Sequence, residues 1–207
     1  MTKGKKITVW TLKGGEGKTT IACAIALEGD WAIITNDIHS DLTSALKEEH
    51  YLVLDPDQPL PTKKELEGAN IIFDPGGFLD HRMIDAVKMS DYVIIPVSEF
   101  GKKLNTERFI ASVLEIEQYN KNIVIVLNKI AQENVEEARK ALKQLMSKEF
   151  KATYPIFEIK KNEAFEMMLN TGASISEIVK RGGLFRRWFQ PVDGQLQKLI
   201  KFINGGK

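Results

Sequence analysis

Short apolar runs recur along the chain, and several of them lack the apolar–polar alternation of a half-exposed strand. Continuous apolar runs are typical of strands that are buried on both faces of a parallel sheet. The runs predict strands at residues 7–12, 31–35, 51–54, 70–73, 92–97, 122–128 and 153–159. We therefore expect a mostly parallel sheet of about seven strands.

Helical patterns lie between these strands. Residues 19–28 are small and apolar, as in a buried helix, and residues 105–119 and 134–150 carry apolar side chains at helical spacing. From Asn162 onward we expect helices, the last over residues 193–204, with breaks at Gly172, Gly182, Gly183, Pro191 and Gly194. The alternation predicts one α/β domain over residues 1–207, with helices on both faces of the sheet.

The segment between the first predicted strand and the first predicted helix is rich in glycine and lysine. It reads Lys13-Gly14-Gly15-Glu16-Gly17-Lys18-Thr19-Thr20. Glycines here let backbone N–H groups converge on phosphate oxygens, and the following helix adds its partial positive charge. Lys18 is a candidate contact of the β- and γ-phosphates, and the Thr19 hydroxyl is a candidate ligand of Mg²⁺. The pattern predicts a P-loop NTPase-type fold.

This loop departs from the common G-x-x-x-x-G-K-[ST] pattern, because Leu12 stands at the first glycine position and Lys13 follows it. It resembles the K-G-G-x-G-K-[ST] loop of the deviant Walker A ATPases, which include the ParA partition and MinD cell-division proteins. In that family the early lysine reaches across an ATP-sandwiched homodimer to the partner's phosphates. The resemblance gives this role to Lys13, and Leu12 favours the partition type, because MinD-type loops usually have glycine there.

Residues 36–43, after the second predicted strand, resemble the family's switch I pattern D-x-D-P-Q-G-N-L-T. The resemblance implies that Asp37 positions the attacking water and belongs, with Thr19 and Asp74, to the residues around Mg²⁺. The match is partial, because Thr35 replaces the first aspartate and residues 38–39 replace the Pro-Gln pair. A carboxylate beside metal and γ-phosphate is what phosphoryl transfer to water requires. The alternative is that Asp37 caps a helix.

Residues 71–77, with the sequence IIFDPGG, resemble Walker B followed by switch II. An aspartate at the carboxyl end of a buried strand faces the ligand crevice of an open α/β sheet. The resemblance implies that Asp74 holds Mg²⁺ through a bound water and that the N–H of Gly77 senses the γ-phosphate. The alternative is a strand-ending turn, because Asp-Pro-Gly-Gly also suits a turn.

Residues 90–97 and 159–172 resemble later segments of the same family, and Asn128 ends the strand between them. In relatives an asparagine at this place reads the base edge of adenine. A guanine reader of the N-K-x-D type needs aspartate at position 131, where this chain has Ala131. The sequence therefore favours ATP over GTP; the alternative is that Asn128 belongs to a turn at the strand end.

Composition narrows the class of protein further. The formal net charge is only +1, which excludes a polybasic or an acidic tail protein. The single cysteine, Cys23, excludes an intramolecular disulfide framework, a multi-cysteine zinc site and a four-cysteine iron–sulfur cluster. With one thiol and no recognisable signal peptide, a reducing cytoplasm is expected.

One late segment, residues 180–189, concentrates basic and aromatic side chains. Its members are Lys180, Arg181, Phe185, Arg186, Arg187, Trp188 and Phe189. The four cations suit sequence-nonspecific DNA, whose phosphates they would neutralise, and the resemblance to partition ATPases supports this interpretation. The alternatives are contact with a membrane, as in the basic amphipathic tail of MinD, or a helix that packs its aromatic side chains on the core.

The resemblance implies a slow ATP hydrolase that partitions DNA, with ATP and Mg²⁺ as ligands. An ATP-dependent homodimer would bind nonspecific DNA, a ParB-like centromere-binding protein would stimulate hydrolysis, and the protein would be cytoplasmic and nucleoid-associated. Because the first strand is predicted from Ile7, no N-terminal helix-turn-helix is expected. Glu16 brings a carboxylate close to the polyphosphate, which disfavours ATP unless Glu16 points away or pairs with a lysine. The alternatives are a MinD-like membrane-positioning ATPase and a nucleotide-bound scaffold with little turnover.

Overall fold

The computed structural model describes residues 4–37, 42–76, 81–98 and 103–206. Within these ranges seven parallel strands form one sheet in the order β3-β2-β4-β1-β5-β6-β7. The strands are β1 (Lys6–Val9), β2 (Ala32–Thr35), β3 (Tyr51–Val53), β4 (Ile71–Asp74), β5 (Tyr92–Val97), β6 (Ile123–Ile130) and β7 (Ile156–Lys160). The predicted parallel sheet is therefore confirmed.

The strands at the centre of the sheet are apolar because both of their faces are covered. All four residues of β1 and all four of β4 are buried, and Ile7 pairs with Ile72 on one side and with Tyr92 on the other. Adjacent residues of one strand enter different cores. Ile94 packs in the core on one face of the sheet, and Val93 and Ile95 pack in the core on the other face.

Helices cover both faces, as the sequence predicts. They are α1 (Lys18–Glu28), α2 (Leu42–Ala45), α3 (His81–Met89), α4 (Lys103–Glu117), α5 (Val135–Glu149), α6 (Ala164–Thr171), α7 (Ile175–Lys180) and α8 (Gly183–Ile203). Helices α1, α2, α6, α7 and α8 pack on one face, and α3, α4 and α5 pack on the other.

Helix α1 is buried on every side, which explains its small apolar residues. The run from Ile21 to Ala26 is buried without interruption, because α1 lies between the sheet and helices α6, α7 and α8. Cys23 is part of this run. A helix that is apolar all round is the expected pattern for this position, and it fixes the loop that precedes Lys18.

The sequence interpretation is wrong for the last helix. Pro191 and Gly194 lie inside α8, which continues from Gly183 to Ile203, so no separate helix begins at residue 193. Pro191 removes one N–H from the helix, but it is exposed, so water can reach the carbonyl that loses its partner. A buried stripe holds the helix together across this position, formed by Phe189, Val192, Leu196, Leu199, Ile200 and Ile203. Tertiary packing therefore outweighs the local preference against proline.

Among the helices of the described ranges, none is long and apolar enough to cross a bilayer.

Candidate nucleotide site

The carboxyl ends of five strands meet at one edge of the sheet. Because β1 lies between β4 and β5, the loop after β1 is flanked by the strand ends that carry Asp74 and Ser98. Strands β2 and β6 are the next neighbours, and they bring Asp37 and Asn128 to the same edge. Ligands of open α/β sheets bind at this edge, so the fold brings the segments with candidate chemistry together.

The loop after β1 has the backbone of a phosphate cradle. Gly15 and Gly17 adopt φ values of 79° and 87°, a conformation that strongly favours glycine. A Cβ atom built on Gly14 or Gly15 would meet no atom within 4 Å, so the outer side of the loop is open to a ligand. Gly17 precedes α1 and offers no side chain to cap it, which leaves the first N–H groups of the helix for an anion. Lys18, Thr19 and Thr20 form the first turn of α1, which begins one residue before the predicted start at Thr19.

Asp74 and Thr19 form the polar centre of the site. The Thr19 hydroxyl donates a hydrogen bond of 2.7 Å to Oδ2 of Asp74. Oδ1 of Asp74 is buried without a hydrogen-bond partner among the described residues, and the residue as a whole is only 1% exposed. Burial raises the pKa of Asp74 to about 6, the Thr19 hydrogen bond and the Lys18 ammonium lower it, and the Asp37 carboxylate raises it. An orphaned carboxylate oxygen beside a hydroxyl fits Mg²⁺, a hard cation with oxygen ligands.

Thr35 joins the end of β2 to the end of β4. Its fully buried hydroxyl donates a hydrogen bond of 2.6 Å to the backbone carbonyl of Asp74 and accepts one of 3.0 Å from the N–H of Asp37. Asn36 adds a second link, because its side-chain carbonyl accepts a hydrogen bond of 2.7 Å from the N–H of Gly76. The half-buried Asp37 is thereby held next to the strand end that carries Asp74.

The Glu16 side chain points into the protein. Its Oε1 lies 2.6 Å from Nζ of Lys13, and its Oε2 accepts a hydrogen bond from the N–H of Ser98. Glu16 is 2% exposed, so the carboxylate that the sequence places near the polyphosphate is neutralised by a lysine of the same loop. The second of the two outcomes expected for Glu16, pairing with a lysine, is the one observed.

Asn128 and Lys129 support the loop from the side of β6. The Asn128 amide donates a hydrogen bond of 2.6 Å to the carbonyl of Glu16, and Nζ of Lys129 donates one of 3.1 Å to the carbonyl of Gly15. Lys129 is the only residue other than glycine with positive φ among the described residues, at 56°, and it lies at an irregularity of the β6–β7 pairing. Strained backbone of this kind clusters at functional sites.

Several solved structures have a fold similar to that of this chain. No protein-family model and no curated protein matches the chain. An ATP complex of a McdA variant from Cyanothece matches with a TM-score of 0.65 and 15% identity, over 100% of this chain and 98% of that one. MinD, a cell division protein of Aquifex aeolicus, matches with a TM-score of 0.64 and 18% identity, over 99% and 98% of the two chains. The chain has the fold of the ParA and MinD ATPases.

A third structure with the ParA/MinD fold is a plasmid partition protein from Borrelia burgdorferi bound to AMPPNP. It matches with a TM-score of 0.64 and 16% identity, over 96% of this chain and 99% of that one. The fold was expected from a loop of eight residues and two short strand-end motifs. At identities of 15–18% the likeness concerns the fold, and the chemistry must be argued from this chain's own residues.

Sequence reasoning missed three members of the site in this ParA/MinD fold. The sequence shows Thr35 only as the replacement of an aspartate and Lys129 only as the second residue of an incomplete N-K-x-D pattern, and it gives no prediction for Asn36. Each acts through a contact between residues 39 or more positions apart in the sequence, as in Thr35–Asp74, Asn36–Gly76 and Lys129–Gly15. A hydroxyl at the last residue of a buried strand and an amide directly after it are the signal that could have identified the first two.

The predicted γ-phosphate contact, Gly77, lies outside the described residues. Among the described residues no group of three or more His, Cys, Asp and Glu side chains could hold a metal on its own. Mg²⁺ is usually bound through one or two carboxylates together with substrate phosphates, so the pair of Thr19 and Asp74 suits a metal that arrives with the phosphates of a nucleotide.

The late basic cluster lies at the junction of α7 and α8. Its four cations, Lys180, Arg181, Arg186 and Arg187, are exposed, and none of them forms an ion pair within the described residues. Some of the aromatic side chains of this cluster pack on the core, and others are exposed to solvent. Phe189 is buried and Phe185 packs beside it, whereas Trp188 is 56% exposed and the neighbouring Leu184 is 58% exposed.

Proposed function

We propose that the protein is a partition-type ATPase, in which ATP and Mg²⁺ switch a homodimer that binds sequence-nonspecific DNA. The observation that carries the proposal is the pair of Thr19 and Asp74 beside an open glycine loop. Oδ1 of Asp74 has no hydrogen-bond partner among the described residues, and the Thr19 hydroxyl already contacts Oδ2 at 2.7 Å. A structural aspartate would have both oxygens satisfied, so this geometry favours a site built for a metal–phosphate ligand.

Nucleotide binding follows from the loop and the helix behind it. The phosphates would lie against the open side of Gly14 and Gly15 and against the N-terminus of α1. Lys18 would contact the β- and γ-phosphates, and Thr19 and Asp74 would hold Mg²⁺, which would offset phosphate charge. Asn128 would contribute through the loop it supports and as the adenine contact that the resemblance implies.

Hydrolysis requires a group that orients water on the γ-phosphate. Asp37 is the candidate, because Thr35 holds its backbone beside the strand end that carries Asp74. The resemblance implies slow turnover, which suits a timer. A ParB-like partner that rearranges this segment would accelerate the reaction.

Assembly would use the same open loop face. Gly14 and Gly15 are exposed and Lys13 beside them is partly exposed, and the resemblance gives Lys13 to the partner subunit's phosphates. Closure of two copies over two ATP molecules would then expose the same DNA-binding surface twice, which raises the avidity for DNA.

DNA binding rests on the four exposed cations at the α7–α8 junction. Unpaired lysine and arginine side chains neutralise phosphates and release counterions without reading bases. A second candidate is contact with an anionic membrane, as in the MinD-like alternative. The exposure of Leu184 and Trp188, which stand before and after Arg186 and Arg187 in the sequence, favours it, since exposed apolar side chains next to arginines suit a lipid interface.

Light scattering with ATP and Mg²⁺ tests the proposed switch. The wild type should become dimeric with ATP and remain monomeric with ADP, and Lys13→Ala should remain monomeric in both. Co-sedimentation of the ATP form with DNA and, separately, with anionic liposomes then distinguishes the two surfaces. If the Lys13→Ala variant forms dimers at the same protein concentration as the wild type, Lys13 has no role in dimerisation.

A further inference from the structure

Glu16 forms an ion pair and two hydrogen bonds with three different residues. One carboxylate oxygen lies 2.6 Å from the Lys13 ammonium, and the other accepts from the N–H of Ser98. Its own backbone carbonyl accepts from the Asn128 amide at 2.6 Å. Glu16 therefore connects the start of the phosphate loop with the ends of β5 and β6, and it does so from a position that is 2% exposed.

The two side chains of the Lys13–Glu16 pair differ in their exposure to solvent. The Lys13 side chain is 20% exposed, whereas the Glu16 side chain is 3% exposed. A carboxylate this deeply buried depends on its cation, because an unpaired charge in the interior is strongly disfavoured. The cation, in contrast, lies near the open face of the loop and can exchange partners with a polyphosphate.

The geometry conflicts with the function that the proposal gives to Lys13. To reach the phosphates of a second subunit, Lys13 must leave a carboxylate of its own loop. The partner's ATP and Glu16 therefore compete for one ammonium. If Lys13 is paired with Glu16 before the dimer forms, that pair must break first, and the apparent affinity of dimerisation is reduced accordingly.

We propose that Glu16 is an internal latch that holds Lys13 on its own phosphate loop and thereby restrains ATP-dependent dimerisation. The latch rests on the proposed function, because it has meaning only if Lys13 acts across the dimer. The hydrogen bond to Ser98 extends the latch to the end of β5.

The decisive variant is Glu16→Gln. Glutamine keeps the shape and can still accept from the N–H of Ser98, but it removes the charge that holds Lys13. In the presence of AMPPNP and Mg²⁺, which prevent turnover, analytical ultracentrifugation should show a dimer dissociation constant about tenfold lower than that of the wild type. The exposed Glu137→Gln on α5 makes the same change in net charge and should leave the constant unchanged.

A purely structural role predicts the opposite sign, because loss of a buried ionic contact would weaken folding and would not strengthen assembly. Thermal unfolding of the nucleotide-free monomer records that effect separately. The gain must also require Lys13, so Glu16→Gln should not restore dimers to the Lys13→Ala variant. Restored dimers in the double variant would overturn the latch, since the gain would then act through another group.

The outcomes separate the latch from the proposed function. If the wild type dimerises with AMPPNP and Glu16→Gln dimerises at the same concentration, the latch is overturned and the ATP switch stands. If Glu16→Gln dimerises and the wild type does so only at higher concentration, the latch is supported. If neither protein dimerises, the sandwich dimer fails and the latch fails with it.

Discussion

The Thr35 hydroxyl and the Asp74 backbone carbonyl are 2.6 Å apart and join the ends of β2 and β4. Thr35 is fully buried, so this hydrogen bond forms away from water. The same hydroxyl accepts from the N–H of Asp37, which places one threonine between the candidate metal ligand and the candidate hydrolytic carboxylate. The residue that weakens the switch I match is thus part of the site's framework.

Replacement of Thr35 by valine tests this link. Valine has the same shape without the hydroxyl, so the carbonyl of Asp74 and the N–H of Asp37 would lose a partner. We expect the free energy of unfolding to fall by about 1–3 kcal/mol, as for a buried unsatisfied polar group. Phosphate release should fall more than ATP affinity, because Asp37 is displaced while the glycine loop remains intact.

Chemical denaturation and a phosphate-release assay measure the two effects. The exposed Thr153→Val makes the same chemical change outside this network and should leave both values close to the wild type. Equal loss of ATP affinity and of hydrolysis in Thr35→Val would assign Thr35 to the phosphate loop instead of to Asp37.

The buried carboxylate of Asp74 predicts opposite effects on folding and on binding. Burial raises its pKa to about 6, which shows that the ionised form is disfavoured in the folded protein. Asp74→Asn removes that charge, so the nucleotide-free protein should be at least as stable at pH 7.5 as the wild type. Binding of ATP that depends on Mg²⁺ should be lost.

Differential scanning calorimetry without nucleotide and calorimetric titration with ATP, each with Mg²⁺ and with EDTA, provide the measurements. Asp55→Asn, at an exposed position after β3, is the matched control. Lower stability of the nucleotide-free Asp74→Asn protein, with ATP binding retained, would make Asp74 a structural residue.

The strained backbone of Lys129 predicts that glycine and alanine at position 129 differ in their effect on stability. Both substitutions remove the contact of Nζ with the Gly15 carbonyl, so both should weaken ATP binding. Only glycine accommodates the φ value of 56° without strain. Lys129→Gly should therefore be more stable than Lys129→Ala by about 1–2 kcal/mol.

Urea denaturation of the two variants gives this difference directly. If alanine proves as stable as glycine, the backbone of residue 129 is not held in the left-handed region. If ATP affinity is unchanged in both variants, the Lys129–Gly15 contact has no effect on the ligand-binding loop.

The continuous α8 predicts two stabilising substitutions. Pro191 lies in the helix interior, is exposed and lacks the N–H that would close a helical hydrogen bond. Pro191→Ala should raise the free energy of unfolding by up to about 3 kcal/mol, and Gly194→Ala should raise it by about 1 kcal/mol. A Cβ atom on Gly194 would meet nothing within 4 Å, so the second change is free of steric cost.

Thermal and chemical unfolding of the two single variants test the helix. Glycine 205 offers the contrast, because its φ of 85° makes Gly205→Ala destabilising. Lower stability of both Pro191→Ala and Gly194→Ala would indicate that the helix ends near residue 190, as the sequence pattern suggested.

The sequence predicts those parts of the molecule that depend on local pattern. Strand β5 is found at the predicted residues, and the buried helix α1 follows from its small apolar residues. The path of α8 could not be predicted in the same way, because the preference of Pro191 is local and the packing that outweighs it comes from residues far along the chain.

In the candidate site, too, some features follow from the local sequence and others depend on distant residues. Residues 13–20 form a loop and helix start whose shape follows from their own glycines, so the sequence predicts this part directly. The direction of the Glu16 side chain depends on Ser98, and the role of Thr35 depends on Asp74, so neither contact leaves a pattern in adjacent residues. Long-range hydrogen bonds of this kind require the structure.

We propose that ATP, and not ADP, makes the protein bind DNA through the α7–α8 junction. The most direct measurement is retention of the protein on sequence-nonspecific duplex DNA with ATP and Mg²⁺, with ADP and Mg²⁺, and without nucleotide. Arg186→Gln combined with Arg187→Gln, and Lys140→Gln combined with Lys143→Gln on α5 as control, make the same change in charge at exposed positions.

We expect the wild type to be retained with ATP alone and to be retained less as the salt concentration rises. In the arginine double variant the salt dependence should be weaker by about one unit of slope per neutralised arginine. The lysine control should behave like the wild type. Confirmed ATP binding without any retention on DNA, or equal retention with ADP, would contradict ATP-switched DNA binding.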